Sequence, residues 1–166
     1  METLEQIIIK YNLHKTDHME GTDKYSIHQY IQRFYENIFL NYFNKEIRLL
    51  EIGTATGASL LLWRNYFKKG DIYGIDEVNA NYFKEKYFHN NINYLRFDAY
   101  DEKNAENLNN FDIIIDDGAH EDETNIKAIN IYFEKLNNSG LFVIEDIAKD
   151  IYLNNAINVL KIALNE

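Results

Sequence analysis

The run Phe111-Asp112-Ile113-Ile114-Ile115 is nearly continuous in apolar residues, short, and followed by the turn formers Asp116-Asp117-Gly118. Such a run reads as a strand buried on both faces, and that commits a chain to a parallel sheet covered by helices on each side. The rest of the chain agrees. Residues 48–52, 71–75, 93–97 and 141–144 are further short strands, and residues 58–67, 79–89, 122–136 and 150–164 have helical spacing. In the helix 122–136 the residues expected to face inward are Ile126, Ile129 and Phe133. Strand–helix alternation predicts right-handed crossovers, an α/β architecture and ligand binding beyond the carboxyl ends of the strands. Upstream, Leu4, Ile7, Ile8 and Tyr11 share one helical face, residues 14–25 read as a polar loop, and residues 26–43 read as one amphipathic helix.

Charge and composition narrow the function. A length of 166 residues suits one domain, and 17 basic against 27 acidic residues leave a net charge of -10, which argues against a nucleic-acid partner. With no cysteine, disulfides, thiolate metal sites and a cysteine nucleophile are excluded. The apolar runs are far shorter than the ~20 residues of a membrane span, and residues 1–10 do not have the layout of a signal peptide. The expectation is a cytoplasmic protein with no membrane partner.

The strand ends carry the chemistry. The first strand runs into Glu51-Ile52-Gly53-Thr54-Ala55-Thr56-Gly57-Ala58-Ser59, where glycines permit a tight turn and the next helix offers free N–H groups. Ala55 replaces the middle glycine of a dinucleotide fingerprint, and Glu51 suits a positively charged ligand better than a pyrophosphate. Asp76, ending the second strand, can accept both hydroxyls of a ribose or cap a helix. Asp98, after the third, can accept an adenine amino group or simply make a turn. At the fourth strand end Asp116 and Asp117 are adjacent, so a cation is expected near them, with His120 beside them as a group suited to proton transfer. The fifth strand ends in Glu145-Asp146, a second acidic pair fit for Mg²⁺, with capping by Asp146 as the alternative. His14, His18 and His28 share no helical face and are not expected to form a metal site.

These segments resemble a known family. The run LLEIGTATGASLLLW (Leu49 to Trp63) resembles the first motif of class I S-adenosylmethionine-dependent methyltransferases, in the form found in macrocin and mycinamicin-type sugar O-methyltransferases and cephalosporin-hydroxylase-like proteins. IYGIDEV (Ile72 to Val78), FDIIIDDGAHED (Phe111 to Asp122) and SGLFVIEDI (Ser139 to Ile147) resemble later motifs in order, and GTDKYSIHQY (Gly21 to Tyr30) resembles a Thr-Asp-Lys…His-x-Tyr segment that precedes this domain. The resemblance implies a Rossmann-like doubly wound sheet of five parallel strands in order 3-2-1-4-5. The usual sixth and seventh strands are absent from a chain ending at Glu166, so the fifth strand is an edge and a homo-oligomer is expected. The whole of 1–166 is read as one domain, with a helical segment 1–46 and a core 47–166.

The resemblance also assigns roles. Gly53, Gly57 and Ser59 surround the methionine part of S-adenosylmethionine, with Glu51 near its amino group. Asp76 holds the ribose, and Asp98 lies near the adenine, with Asp116 also on the cofactor side. Asp117 and Asp146 hold Mg²⁺, with Glu145 as a substitute, and His120 is the base. The departure from the family's Asp-Asp-Gly-Ser-His signature is Ala119 in place of Ser. The implied activity is Mg²⁺-assisted O-methylation of a small hydroxylated acceptor, a sugar in a glycan or natural product. Two other functions compete. A non-catalytic S-adenosylmethionine-binding subunit or regulator has no need of His120 and the acidic pairs, and a nicotinamide-dependent oxidoreductase is opposed by Glu51, Ala55 and the lack of a Tyr-x-x-x-Lys segment.

Overall fold

The structure is a computed structural model that describes residues 2–14, 21–27, 29–77 and 91–147. The expected helices at 79–89 and 150–164, and His18 and His28, lie outside the described residues. Five parallel strands, β1 (Arg48–Ile52), β2 (Asp71–Asp76), β3 (Ile92–Arg96), β4 (Phe111–Asp116) and β5 (Leu136–Ile144), form one sheet in the order β3-β2-β1-β4-β5. Side-chain alternation buries both faces. Leu49, Ile113 and Ile115 enter one core, and Leu50, Ile52 and Ile114 enter the other.

The first face is covered by α1 (Leu4–Lys10), α4 (Ala58–Tyr66) and the irregular segment between α1 and β1. Thr3 and Gln6 form a reciprocal capping box at the start of α1, which buries Leu4, Ile7 and Ile8. Tyr11 falls at its C-cap and is 37% exposed, so it leaves the expected face.

The expected single helix 26–43 is replaced by shorter pieces. The expected polar loop ends in a short α2 (Asp23–Ser26), and the expected helix consists of a π-helical turn Ile31–Tyr35, a short α3 (Glu36–Ile38) and a 3-10 turn Phe39–Asn41. Gln29, with φ of 55°, breaks the helix ahead of them. The buried line becomes Ile31, Tyr35 and Phe39, while Ile27 and Leu40 are 52% and 49% exposed. The physical reason is tertiary. The hydroxyls of Tyr30 and Tyr35 donate to Asp146 and Glu145 at the sheet edge, and a π turn is a common way to re-aim side chains at such a place.

The second face carries α5 (Glu102–Ala105) and α6 (Asp122–Tyr132). Helix α6 buries Asn125, Ala128 and Tyr132, and Ile126 is 52% exposed, so its inward face is rotated from the expected one. Ala128 lets the helix approach closely, and the buried Tyr132 is satisfied by donating its hydroxyl to Ala99 O at 2.9 Å. Strand β5 starts five residues before the expected 141, with a register irregularity between Phe111 and Ile113 and a left-handed Ser139. No helix among the described residues is long and apolar enough to cross a membrane.

Candidate active site

A cleft opens at the carboxyl ends of β1, β2 and β4. Its walls are Gly53 to Thr56, Ala58 and Ser59 after β1, Asp76 after β2, Asp117, Gly118 and His120 after β4, and Gly21 to Asp23 from the N-terminal segment. Backbone hydrogen bonds set the β1 loop. Gly53 N–H donates to Ile75 O at 2.9 Å, and Ala55 N–H donates to Asp76 Oδ2 at 2.8 Å. Gly53 has φ of +77°, and a Cβ there would run into the Asp117 carbonyl and lie 2.6 Å from Gly118 Cα. The two loops that form the cleft therefore touch backbone to backbone. Gly53→Ala combines a left-handed alanine with that overlap and should cost about 3 kcal/mol of stability. Urea unfolding checks this, and a midpoint equal to that of the unsubstituted chain would refute it.

Adjacent residues on a strand point to opposite faces, so Asp116 and Asp117 diverge. Asp116 is 1% exposed and faces away from the cleft, accepting the Tyr100 hydroxyl at 3.0 Å. Burial pushes its carboxyl up to about 6, against the hydrogen bonds from Tyr100 and the Gly118 N–H. Tyr100 also accepts Ala119 N–H at 3.0 Å and so braces the turn from below. Asp117 faces the cleft. There it meets a cation of the chain itself: Lys24 Nζ donates to Asp117 Oδ2 at 2.5 Å.

Lys24 is fully buried and also donates to Glu145 Oε1 and Oε2 at 2.9 and 2.8 Å, with Glu51 Oε1 at 3.3 Å. Burial opposes its charge, but Asp117, Glu145 and Glu51 outweigh it and hold the ammonium well above its usual range. Burial also raises Glu145, Asp117 and Glu51 above the usual carboxylate range, against the pull of Lys24. The hydroxyl of Tyr35 adds a further donor to Glu145 Oε1. Glu51 is fully buried behind the loop, where Oε2 accepts Ser59 Oγ–H at 2.6 Å and Trp63 Nε1–H at 3.1 Å. It does not line the cleft.

On the open side, His120 Nε2 stands 3.9 Å from Asp117 Oδ1 and 3.8 Å from Asp146 Oδ2. Donor atoms of these three residues lie within 4.8 Å of one another, in the one such group among the described residues. Hard carboxylate oxygens at this spacing, with room for water on the cleft side, fit a small divalent cation. Asp146 Oδ1 accepts the Tyr30 hydroxyl at 2.6 Å. Ala55, His120 and Asp146 all take left-handed backbone, at φ of 43°, 56° and 55°. Such conformations cost of order 1 kcal/mol or more each and persist where surrounding structure enforces them, commonly at functional sites.

Of the site residues expected from sequence, Gly53, Ser59, Asp76, Asp117 and His120 line one cleft, and Asp146 stands at its edge. Gly57 turns the loop into α4 at φ of 86°. Glu51, Asp116 and Glu145 are buried away from the open space, and Asp98 is exposed beyond β3 with Oδ1 accepting Tyr100 N–H. Sequence reasoning missed Lys24 and Tyr100. The segment Gly21 to Tyr30 carried the signal for Lys24, since it stood out as a motif with no chemistry attached to it.

A parallel sheet in the order 3-2-1-4-5, with a glycine loop after β1 and acidic groups after β2, β4 and β5, defines a Rossmann-like domain of the class I methyltransferase type. Within that class, over the part it spans, the chain is similar to macrocin and mycinamicin-type sugar O-methyltransferases. It is 32% identical over 134 residues to the 8-demethyl-8-alpha-L-rhamnosyl tetracenomycin-C 2'-O-methyltransferase of Streptomyces olivaceus, covering 76% of this chain and 35% of that protein. It is 31% identical over 146 residues to the demethylmacrocin O-methyltransferase of Streptomyces fradiae, covering 80% and 37%. The MycE methyltransferase of the mycinamycin pathway, solved in complex with Mg, SAH and mycinamycin VI, superposes with a TM-score of 0.70 at 28% identity, covering 86% of this chain and 38% of that one. The chain thus spans about a third of the length of these two curated relatives. No family model matches it.

Proposed function

We propose that this chain works as an S-adenosylmethionine-dependent, Mg²⁺-assisted O-methyltransferase acting on a hydroxyl of a small glycosylated acceptor. The observation that carries the reading is the meeting of Asp117, His120 and Asp146 beside the β1 loop, in a chain similar to proteins solved with Mg and SAH. Asp117 and Asp146 would hold Mg²⁺ on the cleft side. Bound there, the ion lowers the pKa of an acceptor hydroxyl, and the cofactor supplies an activated methyl group. His120 Nε2 takes the hydroxyl proton. Gly53, Gly57 and Ser59 shape the space for the methionine part, and Asp76 offers its carboxylate to the ribose. Glu51, behind Ser59, acts on that end by fixing the serine hydroxyl rather than by contact. Asp98 lies towards the adenine end, and Asp116 positions the turn that presents Asp117. The proposal includes a cytoplasmic location and self-association, the latter supported by β5 being an edge strand among the described residues.

Calorimetry with S-adenosylmethionine tests the cofactor half. Asp76→Ala should weaken binding by about 1.5–3 kcal/mol, the usual worth of hydrogen bonds to a charged acceptor. Unchanged affinity would place the cofactor elsewhere.

A further inference from the structure

Tyr100 lies outside the chemistry proposed above, yet the turn that carries His120 rests on it. Two N–H groups of that turn are met from below by side chains. Gly118 N–H donates to the Asp116 carboxylate, and Ala119 N–H donates to Tyr100 Oη at 3.0 Å. The Tyr100 hydroxyl in turn donates to Asp116 Oδ1 at 3.0 Å, and Asp116 is 1% exposed. A phenol can accept and donate at once, which is what a place between an amide and a buried carboxylate requires. The tyrosine is itself held, on the segment after β3. Its own N–H donates to Asp98 Oδ1 at 2.8 Å, and the buried Tyr132 hydroxyl donates to Ala99 O at 2.9 Å. The fit under the turn is close. A Cβ on Gly118 would run into the Tyr100 hydroxyl oxygen and lie 3.0 Å from the ring carbon Cζ. Gly118 is not left-handed, so the glycine is required by the tyrosine beneath it and not by its own backbone. His120, two residues on, is left-handed at φ of 56°, a conformation that persists where the surroundings enforce it.

We propose that Tyr100 is a positioning residue for His120, its hydroxyl wedged under Gly118 between Asp116 and Ala119 so that the turn holds the imidazole at the cleft. The inference rests on the reading of His120 as the base and makes no use of a metal. Proton transfer needs the imidazole in place to within about 1 Å, so a loosened turn lowers the rate before it lowers cofactor affinity. The same contact gives a reason for glycine at position 118: any side chain there displaces the hydroxyl that holds the turn.

Tyr100→Phe in the whole chain tests this, because it keeps the ring and the N–H to Asp98 and removes only the hydroxyl. By nuclear magnetic resonance, the Ala119 amide should exchange with solvent at least tenfold faster, while amides of β1 and β4 change by less than threefold. The imidazole signal of His120, identified by its loss in His120→Asn, should shift or broaden. Methyl transfer to a hydroxylated sugar, followed as S-adenosylhomocysteine release, should fall at least tenfold, with calorimetric cofactor affinity within threefold. A tyrosine that merely supported the fold would instead speed exchange along β4 and weaken cofactor binding in step with turnover. Gly118→Ala should reproduce the faster Ala119 exchange in the unsubstituted chain and add less than threefold to it in Tyr100→Phe, since the oxygen it collides with is then gone. Unchanged Ala119 exchange in a folded Tyr100→Phe, or turnover within threefold of the unsubstituted chain, overturns the inference. If circular dichroism shows Tyr100→Phe unfolded, Gly118→Ala decides by the same readings. Absence of transfer in the unsubstituted chain overturns the methyltransferase reading, and Ala119 exchange with the His120 signal then decides whether Tyr100 holds the turn.

Discussion

Replacing His120 by Asn should lower methyl transfer by about 10²–10⁴-fold, the range expected for loss of a positioned general base, with cofactor affinity little changed. The imidazole stands between Asp117 Oδ1 and Asp146 Oδ2, at 3.9 and 3.8 Å. The side chain is 37% exposed, so an acceptor can reach it from the cleft. Asparagine is the variant of choice because residue 120 has φ of 56°, which asparagine tolerates and most residues do not. A loss of rate then reports on the imidazole and not on the turn. The measurement is S-adenosylhomocysteine release with a hydroxylated sugar acceptor, beside calorimetry of cofactor binding. Chelator should abolish release in the unsubstituted chain while cofactor binding survives, since the residues proposed for the ribose and methionine parts are not those proposed for the metal. Turnover within threefold of the unsubstituted chain would remove His120 from the chemistry. Indifference to chelator with dependence on His120 would leave a metal-free base mechanism, and a protein that binds cofactor but methylates nothing would be the binding subunit.

The sheet was legible because its strands obey a rule that leaves little freedom. A strand such as Phe111–Asp116, covered on both faces, must be apolar along its length, and the polar residues that end it must lie at the mouth. That logic located Gly53, Asp76, Asp117 and His120 at one cleft. It could not say which way each side chain of a polar pair turns. Asp116 and Asp117 look equivalent in sequence, and the pleat sends one to Tyr100 and the other to Lys24. Nor could it find Lys24, because a lysine 93 residues from its aspartate partner carries no local sign of burial. The N-terminal segment was misread for a related reason. Helical spacing describes a lone helix seeking one apolar face, whereas residues 29–41 are bent so that Tyr30 and Tyr35 reach carboxylates after β5. Helix α6 shows the same override in smaller form, with the buried pair Asn125 and Tyr132 preferred to Ile126.

The rotated face of that segment predicts a large and selective effect on stability. Phe39 is fully buried, with ring centroids 4.8 Å from Tyr35, 5.3 Å from Trp63 and 5.0 Å from Phe67. Phe39→Ala should cost about 3–5 kcal/mol, from lost transfer energy and the cavity left behind. That is a large fraction of the roughly 5–15 kcal/mol of a typical domain. Leu40 is 49% exposed, so Leu40→Ala should stay within about 0.5 kcal/mol. A regular helix with Ile27, Ile31, Phe34 and Ile38 on its buried face puts Phe39 and Leu40 about equally far from that face, so the pair of variants in one urea series distinguishes the two arrangements. The consequence also reaches the site. Tyr35 packs on Phe39 and on Trp63, 5.1 Å away, and its hydroxyl holds Glu145, while the Trp63 indole N–H holds Glu51. Removing the Phe39 ring loosens the aromatic wall that fixes two of the three carboxylates around Lys24. Phe39→Ala should therefore give a shallower pH dependence of stability along with the lower midpoint, since looser carboxylates titrate closer to their unfolded values. Equal costs for the two alanine variants would show that the segment packs as the plain amphipathic helix its sequence spacing describes.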